Sequence, residues 1–231
     1  TEFEILYLEG GKFHIVYTEV VDSFPSLVDA DIRRMYSEKD DGVDVIPNFV
    51  TKLSNVKHLK LSGTVLENLE LANVQSSSFP TFLNLITLEV SFMKTQKVKS
   101  LFTFLQFSPN LVSLVFSGAC CRDEVNEDAL TLDVVPHCLL IHLKSIKFQY
   151  FEGQRKVLDL VQLFLQNAMV LQTLIIEISS DHGVNLDKKK HTAKDVEDFN
   201  KKIMEQLLKY KWASTDYVIK LSSSPYSDQS L

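Results

Sequence analysis

An alternation of apolar and polar positions recurs along most of the chain. Each copy has an apolar anchor, two further residues, and then two apolar positions separated by one residue. Successive anchors lie 26 to 32 residues apart: Leu27 in a looser copy, then Val56, Leu85, Leu111, Leu143 and Leu171. An apolar period of two residues predicts short strands with one buried face.

Between the strands the apolar period becomes helical. Val98, Leu101, Phe102 and Leu105 follow the i, i+3, i+4, i+7 spacing of an amphipathic helix. Similar stretches lie at 45–53, 157–165 and 193–207. Strand–helix units of this length with an L-x-x-L-x-L core are the signature of leucine-rich repeats. The sequence therefore predicts an α/β leucine-rich-repeat solenoid, in which parallel strands are backed by helices.

The polar positions of the strands define a candidate binding surface. Side chains alternate between core and solvent, so those between the apolar positions should form outward columns. Stacked in register, the first column is His58, Thr87, Ser113, Ser145 and Thr173; the second is Lys60, Glu89, Val115, Lys147 and Ile175; the third is Ser62, Ser91, Ser117, Gln149 and Glu177. Two interpretations stay open: solvated filler, or a partner-binding surface centred on the first two columns.

Composition narrows the function classes. The chain has 231 residues, a formal net charge of −6, and no apolar run long enough for a membrane helix. We therefore expect neither a nucleic-acid partner nor a membrane. Three Cys do not make a disulfide framework, which favours the cytoplasm or the nucleus. Because the chain enters a repeat almost at once after Thr1, we expect further residues upstream.

Clusters of reactive residues offer little chemistry. The residue types that bind zinc occur at five positions: Cys120, Cys121, His137, Cys138 and His142. However, the adjacent cysteines at 120 and 121 do not match the C-x-x-C spacing of zinc sites. An acidic group at 123–128 and the basic run at 188–190 are typical of exposed loops. No phosphate loop, nucleophile elbow or metalloprotease helix is present in the sequence. We expect no catalytic residue, no metal and no cofactor.

One segment carries a family resemblance. The run from Val134 through Val135, Pro136, His137 and Cys138 to Ile146 resembles the "V-P-x-C-L-L-x-x-L-K-x-(V/I)" opening of the FBD domain of plant F-box proteins. The pattern over 151–171 resembles the family's "F-x-G … L-V-x-x-(F/L)-L-x-N-A-x-(V/L)-L" continuation. Upstream repeats resemble the leucine-rich repeats that precede this domain. The resemblance covers nearly the whole chain from Phe3 to Leu221.

The resemblance implies an organisation and a function. It divides the chain into leucine-rich repeats at 1–133 and an FBD domain at 134–221, which continues and caps the stack and closes with a strand at Tyr217–Leu221. The residues 222–231 are rich in Ser and have no periodicity, so we expect a disordered tail there. The resemblance implies the substrate-receptor part of an SCF-type ubiquitin ligase, whose partner is a protein target. The SCF adaptor would be bound only through an F-box, which this sequence does not contain. The alternative is a stand-alone interaction or scaffold protein without a link to a ligase.

Overall fold

The strands described for this protein form one parallel sheet in sequence order. A computed structural model describes residues 5–7, 24, 26–32, 49–71, 79–91, 98–117, 131–179 and 193–224. Eight strands follow one another as neighbours in this part of the chain: β1 Ile5–Tyr7, β2 Asp29–Asp31, β3 His58–Ser62, β4 Thr87–Ser91, β5 Ser113–Ser117, β6 Ser145–Phe151, β7 Thr173–Ser179 and β8 Val218–Ser224. The predicted α/β solenoid with parallel strands is confirmed.

Helices connect the strands. Five are described: α1 Gly63–Leu71, α2 Val98–Gln106, α3 His137–Ile141, α4 Arg155–Asn167 and α5 Ala193–Leu207. Those expected from the helical period at 98–105, 157–165 and 193–207 are confirmed. Of the stretch at 45–53, residues 49–51 are helical and Val50 and Leu53 are buried, whereas Val45 and Ile46 lie outside the described residues.

Two helices were not expected from the sequence. α1 begins at Gly63 directly after β3, because Val65, Leu66 and Leu69 turn back onto the core. α3 is a single short helix after Pro136, too brief to display a helical period.

Strands β3 to β7 are held in the same register by backbone hydrogen bonds that begin before the strand itself. In four successive pairings the amide of the residue after the anchor donates to its counterpart in the preceding repeat, from Ile86 to Lys57 (2.8 Å), Val112 to Ile86 (2.9 Å), Lys144 to Val112 (2.9 Å) and Gln172 to Lys144 (2.9 Å). Parallel strands lie about 4.8 Å apart. Equivalent side chains of successive repeats are thus immediate neighbours.

The core is a single layer between sheet and helices. Inward side chains of β3 to β7, such as Leu61, Val90 and Ile176, are almost completely buried. Phe116 and Phe148 stack with ring centroids 4.5 Å apart and an interplanar angle of 7°, close to the strand spacing. The ring centroid of Phe164 in α4 lies 5.9 Å from that of Phe116 and 5.1 Å from that of Phe102 in α2. Aromatic rings therefore join two strands to two helices.

A bulge interrupts the sheet in β6. Phe148 pairs with Ile176, but the next pair joins Phe151 to Ile178, so β6 holds one extra residue. Tyr150 takes up this extra length with a φ of 56°, in the left-handed region. Gly153, just after β6, has a φ of 88°, and a Cβ at that position would lie 3.0 Å from the Phe199 ring. Glycine allows α5 to pack closely here.

The last strand is longer than the sequence suggested. β8 runs from Val218 to Ser224, whereas the strand was expected to end at Leu221. The tail expected at 222–231 therefore begins inside β8, and residues 225–231 lie outside the described ones. The division at 133/134 between repeats and FBD domain stays a prediction, because the sheet and the core continue across it.

We predict that Phe116→Ala lowers the free energy of unfolding by about 3–5 kcal/mol, because it removes a ring that two other rings contact in a closed core. Equilibrium urea unfolding measures this loss. Leu208→Ala, at an exposed position after α5, is the control and should change stability by less than about 0.5 kcal/mol. Equal effects of the two variants would contradict the role of the aromatic contacts.

Candidate protein-interaction surface

The first two predicted columns lie side by side across the sheet, and we call them together the strand face. Register pairs align the first column through β3 to β7 without a break, from His58 to Thr87, Ser113, Ser145 and Thr173. The second column is aligned in the same way: Lys60, Glu89, Val115, Lys147 and Ile175. His58 is exposed and the other nine are half-buried. Their role in binding stays a prediction.

The register of the strand face continues beyond these five strands at both ends. Asp29 and Asp31 of β2 align with His58 and Lys60, and Ile5 and Tyr7 of β1 align in turn with Asp29 and Asp31. Val218 and Lys220 of β8 align with Thr173 and Ile175. The looser repeat at Leu27 and the closing strand predict strands at these places. Their outward positions alternate with apolar residues as in the other repeats.

The third column is largely wrong as an outward surface. Ser62, Ser91 and Ser117 are at most 6% exposed, and each of these end-of-strand hydroxyls forms a hydrogen bond. Ser62 Oγ accepts from the Val65 amide (3.3 Å) at the start of α1, and Ser91 Oγ donates to the Leu61 carbonyl (3.5 Å). The β6 bulge also removes Gln149 from register with Glu177, although both are half-buried.

An ordered charge network crosses β3, β4 and β5. Lys60 Nζ lies 3.3 Å from Glu89 Oε2, and Ser117 Oγ donates to Glu89 Oε1 at 2.7 Å. Both carboxylate oxygens of Glu89 are thereby engaged. The Glu89 side chain is 17% exposed and that of Lys60 is 42% exposed. Lys60 therefore presents the accessible part of the pair.

A second ion pair runs diagonally from β6 to β7. Lys147 Nζ lies 2.8 Å from Glu177 Oε1, and both side chains are partly shielded from solvent. Val115 and Ile175 flank Lys147 in the second column. The centre of the strand face thus carries apolar side chains beside a fixed, internally neutralised charge pair.

Exposed apolar side chains line the amino ends of the strands, a row that we call the amino edge: Leu83 (59% exposed), Ile86 (40%), Ile141 (47%) and Met169 (56%). Hydrogen bonds between successive turns fix this row. Asn110 Nδ2 donates to the Leu83 carbonyl (2.8 Å), and the Met169 amide donates to the Leu139 carbonyl (3.0 Å). The sequence analysis missed these residues, although they precede the strands at regular places in the repeats.

Of the residues weighed as zinc ligands, His137 and His142 lie near each other, with ring centroids 6.4 Å apart, but no third described ligand joins them. Cys138 is fully buried, with Sγ 3.8 Å from the Leu105 carbonyl, and burial raises the pKa of its thiol to about 12. His142 Nδ1 lies 2.9 Å from the Pro109 carbonyl. No group of three potential ligands that could hold a metal occurs in the described ranges. Cys120 and Cys121 lie outside them.

Two further sequence features cannot be placed. The acidic group at 123–128 and the basic run Lys188–Lys190 both lie outside the described residues. Within the described ranges, no helix combines the length and apolar character that crossing a bilayer requires.

Comparison with known proteins decides the family. The FBD family model matches residues 133–176, which include the segment from Val134 to Ile146 and the pattern at 151–171. An F-box/FBD/LRR-repeat protein of Arabidopsis thaliana is 30% identical over 181 residues, covering 74% of this chain and 40% of the relative. The chain is an FBD/leucine-rich-repeat protein of the plant type.

Other relatives agree with this assignment. An FBD-associated F-box protein of Arabidopsis thaliana is 28% identical over 168 residues, covering 70% of this chain and 35% of the relative. The FBD/leucine-rich-repeat chain thus spans about a third to two fifths of the length of these curated relatives. No solved structure matches. A repeat solenoid with an open strand face is a protein-interaction module, so fold and domain content point to protein partners.

We predict that Lys60→Glu lowers the free energy of unfolding by about 0.5–1 kcal/mol, because it places two carboxylates side by side on β3 and β4. Adding Glu89→Lys should restore most of this loss. Urea unfolding at low and high salt measures both effects, which should shrink at high salt. Lys57→Glu, which changes an exposed lysine of the same repeat, is the control. A double variant no more stable than Lys60→Glu would contradict the ion pair.

We predict that the Cys138 thiol resists alkylation in the folded protein at pH 8 and reacts in urea, because it is buried and stays protonated. Mass spectrometry of the peptide that contains Cys138 measures the labelling. The folded pKa lies above that of the unfolded thiol, so this group's contribution to stability is complete below about pH 9 and lost as the pH rises towards 12. Cys138→Ala should remove that component. Rapid labelling of the folded protein would contradict the burial.

Proposed function

We propose that this chain is the substrate-receptor portion of an SCF-type ubiquitin ligase, and that the strand face captures the target. The observation that supports this is the strand face itself, an ordered and accessible layer in a chain whose relatives are named F-box/FBD/LRR-repeat proteins. The F-box that docks the SCF adaptor would be supplied by a part of the gene product outside this sequence.

The receptor acts by binding and placing the target. Binding to a rigid face costs little conformational entropy. In the strand face, ladder hydrogen bonds already hold the backbone and ion pairs already hold charged side chains. Ubiquitin transfer itself takes place on other subunits, so no covalent step is assigned to this chain. Its low cysteine content is consistent with work in the cytoplasm or nucleus.

The size of the strand face limits how the target binds. Seven strands about 4.8 Å apart and about five residues long give a projected area of roughly 500 Å². A standard protein interface buries about 800 Å² on each partner. Because side-chain relief makes the accessible area larger than this flat projection, the strand face approaches one side of a small interface. A larger target would also contact the exposed apolar row of the amino edge, which adjoins the strand face.

Charge reversal of Lys60 or Lys147 is a poor test of this face, although both are in the second column. Each lysine is paired with a partly buried glutamate, so its reversal disturbs the fold as well as the surface. Val115 and Ile175 are better positions. They are half-buried, they lie on the outward side of β5 and β7, and no ion pair depends on them.

We predict that the full-length gene product forms a stable complex with the SCF adaptor and ubiquitinates a defined set of cellular proteins. Co-purification measures the complex, and quantitative mass spectrometry of ubiquitin-remnant peptides measures the set. Val115→Arg with Ile175→Arg should abolish ubiquitination of the set by blocking the strand face, while leaving the adaptor complex intact.

The matched control is Gln106→Arg with Gln166→Arg, which adds the same charge at exposed positions of α2 and α4 on the helix layer. It should leave both readouts unchanged. Failure of the full-length product to bind the adaptor would overturn the ligase role and favour a stand-alone interaction protein. Full ubiquitination by the strand-face variant would place target capture elsewhere.

A further inference from the structure

The turns that lead into the middle strands carry no acidic residue. The seven residues before each of the strands β3 to β7 are 51–57, 80–86, 106–112, 138–144 and 166–172. These segments contain three lysines and no Asp or Glu, although the whole chain has a formal charge of −6. Beyond them, Glu89 and Glu177 are each paired with a lysine, while Asp133 and Asp216 precede α3 and β8. The amino ends of β3 to β7 are therefore locally basic on an acidic chain.

Apolar side chains in these turns form two rows across the repeats. The outer row lies two positions before the anchors and is apolar in four successive repeats: Leu83, Pro109, Ile141 and Met169. Pro109 is half-buried, and the other three are 47% to 59% exposed. The inner row lies one position after the anchors and runs from basic through apolar to basic: Lys57, Ile86, Val112 and Lys144. An exposed lysine thus stands at each end of an apolar strip.

Hydrogen bonds between neighbouring repeats hold both rows in place. In the outer row, Asn110 Nδ2 donates to the Leu83 carbonyl at 2.8 Å. In the next repeat, His142 Nδ1 lies 2.9 Å from the Pro109 carbonyl. The backbone amides of the inner row donate to the preceding repeat at 2.8 to 2.9 Å. The surface offered to a partner is therefore made of apolar side chains on a fixed backbone, which limits the entropy lost on binding.

The spacing of the outer row matches a helix better than an extended segment. Successive repeats are about 4.8 Å apart, so the four residues of the row span about 14 Å. One turn of an α-helix advances about 5.4 Å, so an amphipathic helix presents an apolar residue at nearly the same interval. An extended segment presents one side of its chain only every ~6.8 Å and would lose register with the row within two repeats.

We propose that the amino edge, together with Pro109 and Val112 in the same two rows, binds an amphipathic helix of a partner protein that carries acidic residues beside its apolar face. The axis of the helix crosses the strands, and its apolar residues contact the outer row. Its acidic residues lie near Lys57 and Lys144. This inference goes beyond the proposed function, because it gives the amino edge a ligand of its own chemistry and does not depend on the ligase role.

The charge pattern favours a protein helix over other acidic partners. Lys57 and Lys144 are three strand spacings apart, or about 14 Å, with apolar side chains between them. Anionic membrane surfaces are bound by clusters of about four to eight basic residues. Nucleic acid likewise requires several phosphate contacts and gains little from an exposed apolar strip. Two separated lysines beside an apolar row instead fit carboxylates that flank the apolar face of a helix.

The test uses a displayed library of helical peptides that is selected on the purified chain. Enriched peptides should have apolar residues at i, i+4, i+7 and i+11 and should carry Asp or Glu beside that face. A synthetic, fluorescently labelled copy of the most enriched peptide then serves as the probe. Fluorescence polarisation measures its affinity, which should fall as salt is raised, because exposed charges carry part of the binding.

Leu83→Ser with Met169→Ser should weaken binding of the probe by about tenfold or more, because it removes two apolar contacts at the centre of the site. Both side chains are more than half exposed, so the fold should be retained, and thermal unfolding followed by circular dichroism checks this. Val115→Ser with Ile175→Ser makes a similar change on the strand face and should leave the affinity unchanged.

Lys57→Glu with Lys144→Glu should weaken the probe by about tenfold, because two attractions become repulsions. Lys99→Glu with Lys202→Glu makes the same change in net charge at exposed positions of α2 and α5. This control should bind the probe as the unmodified chain does. The charge variants give a readout that does not rely on the apolar substitutions.

Three outcomes would overturn the inference: enrichment of peptides that are basic or lack a helical apolar period, equal probe affinity for the two charge variants, or tighter binding of anionic vesicles or single-stranded DNA than of the probe. Binding that is lost on Val115→Ser with Ile175→Ser but kept on Leu83→Ser with Met169→Ser would also overturn it, and would support the strand face of the proposed function. Failure of the full-length product to bind the SCF adaptor would remove the ligase role and leave this site standing.

Discussion

Lateral pairing of parallel strands is the constraint on which the rest of this structure depends. Each inner strand must satisfy hydrogen bonds on both edges, so its neighbours have to repeat the same path at a spacing of about 4.8 Å. The residue after each anchor already takes part, as Ile86, Val112 and Lys144 show. Once this ladder is formed, every inward position must be apolar, and every outward position faces its equivalent in the next repeat. The stacked rings of Phe116 and Phe148 are one consequence.

The same constraint limits the outward surface. Side chains in one column are about 4.8 Å apart, so like-charged neighbours would repel one another. The first column accordingly holds Thr87, Ser113, Ser145 and Thr173, and the second places Glu89 beside Lys60 and apolar residues on both sides of Lys147. A surface built under this limit is ordered before any partner arrives. Its recognition chemistry is restricted to small hydroxyls, isolated charges and branched apolar groups.

Much of this could be predicted from sequence because strand and helix differ in apolar period. The register of the first two columns followed from the anchors alone, since the strands are parallel and in order. Errors arose where tertiary contacts override the local pattern. Ser62 looks outward by alternation, but its hydroxyl accepts from Val65 at the start of a helix that the pattern did not reveal. The β6 bulge at Tyr150 could not be recognised from the alternation of apolar and polar residues. Gln149 and Tyr150 are compatible with a regular strand as well as with a bulge.

The ion pairs show most clearly that outward positions derived from the sequence do not by themselves define the charge of the surface. Lys60 and Lys147 look alike in the sequence, as basic positions three repeats apart on the same face. In the structure each is tied to a glutamate on the next strand, one directly across and one along a diagonal towards the bulge. The positive charge of each lysine is therefore largely neutralised by its paired glutamate. Exposed lysines such as Lys144 and Lys220 have polar or apolar, uncharged neighbours in register. Which charges the ladder leaves uncompensated therefore depends on register as much as on composition.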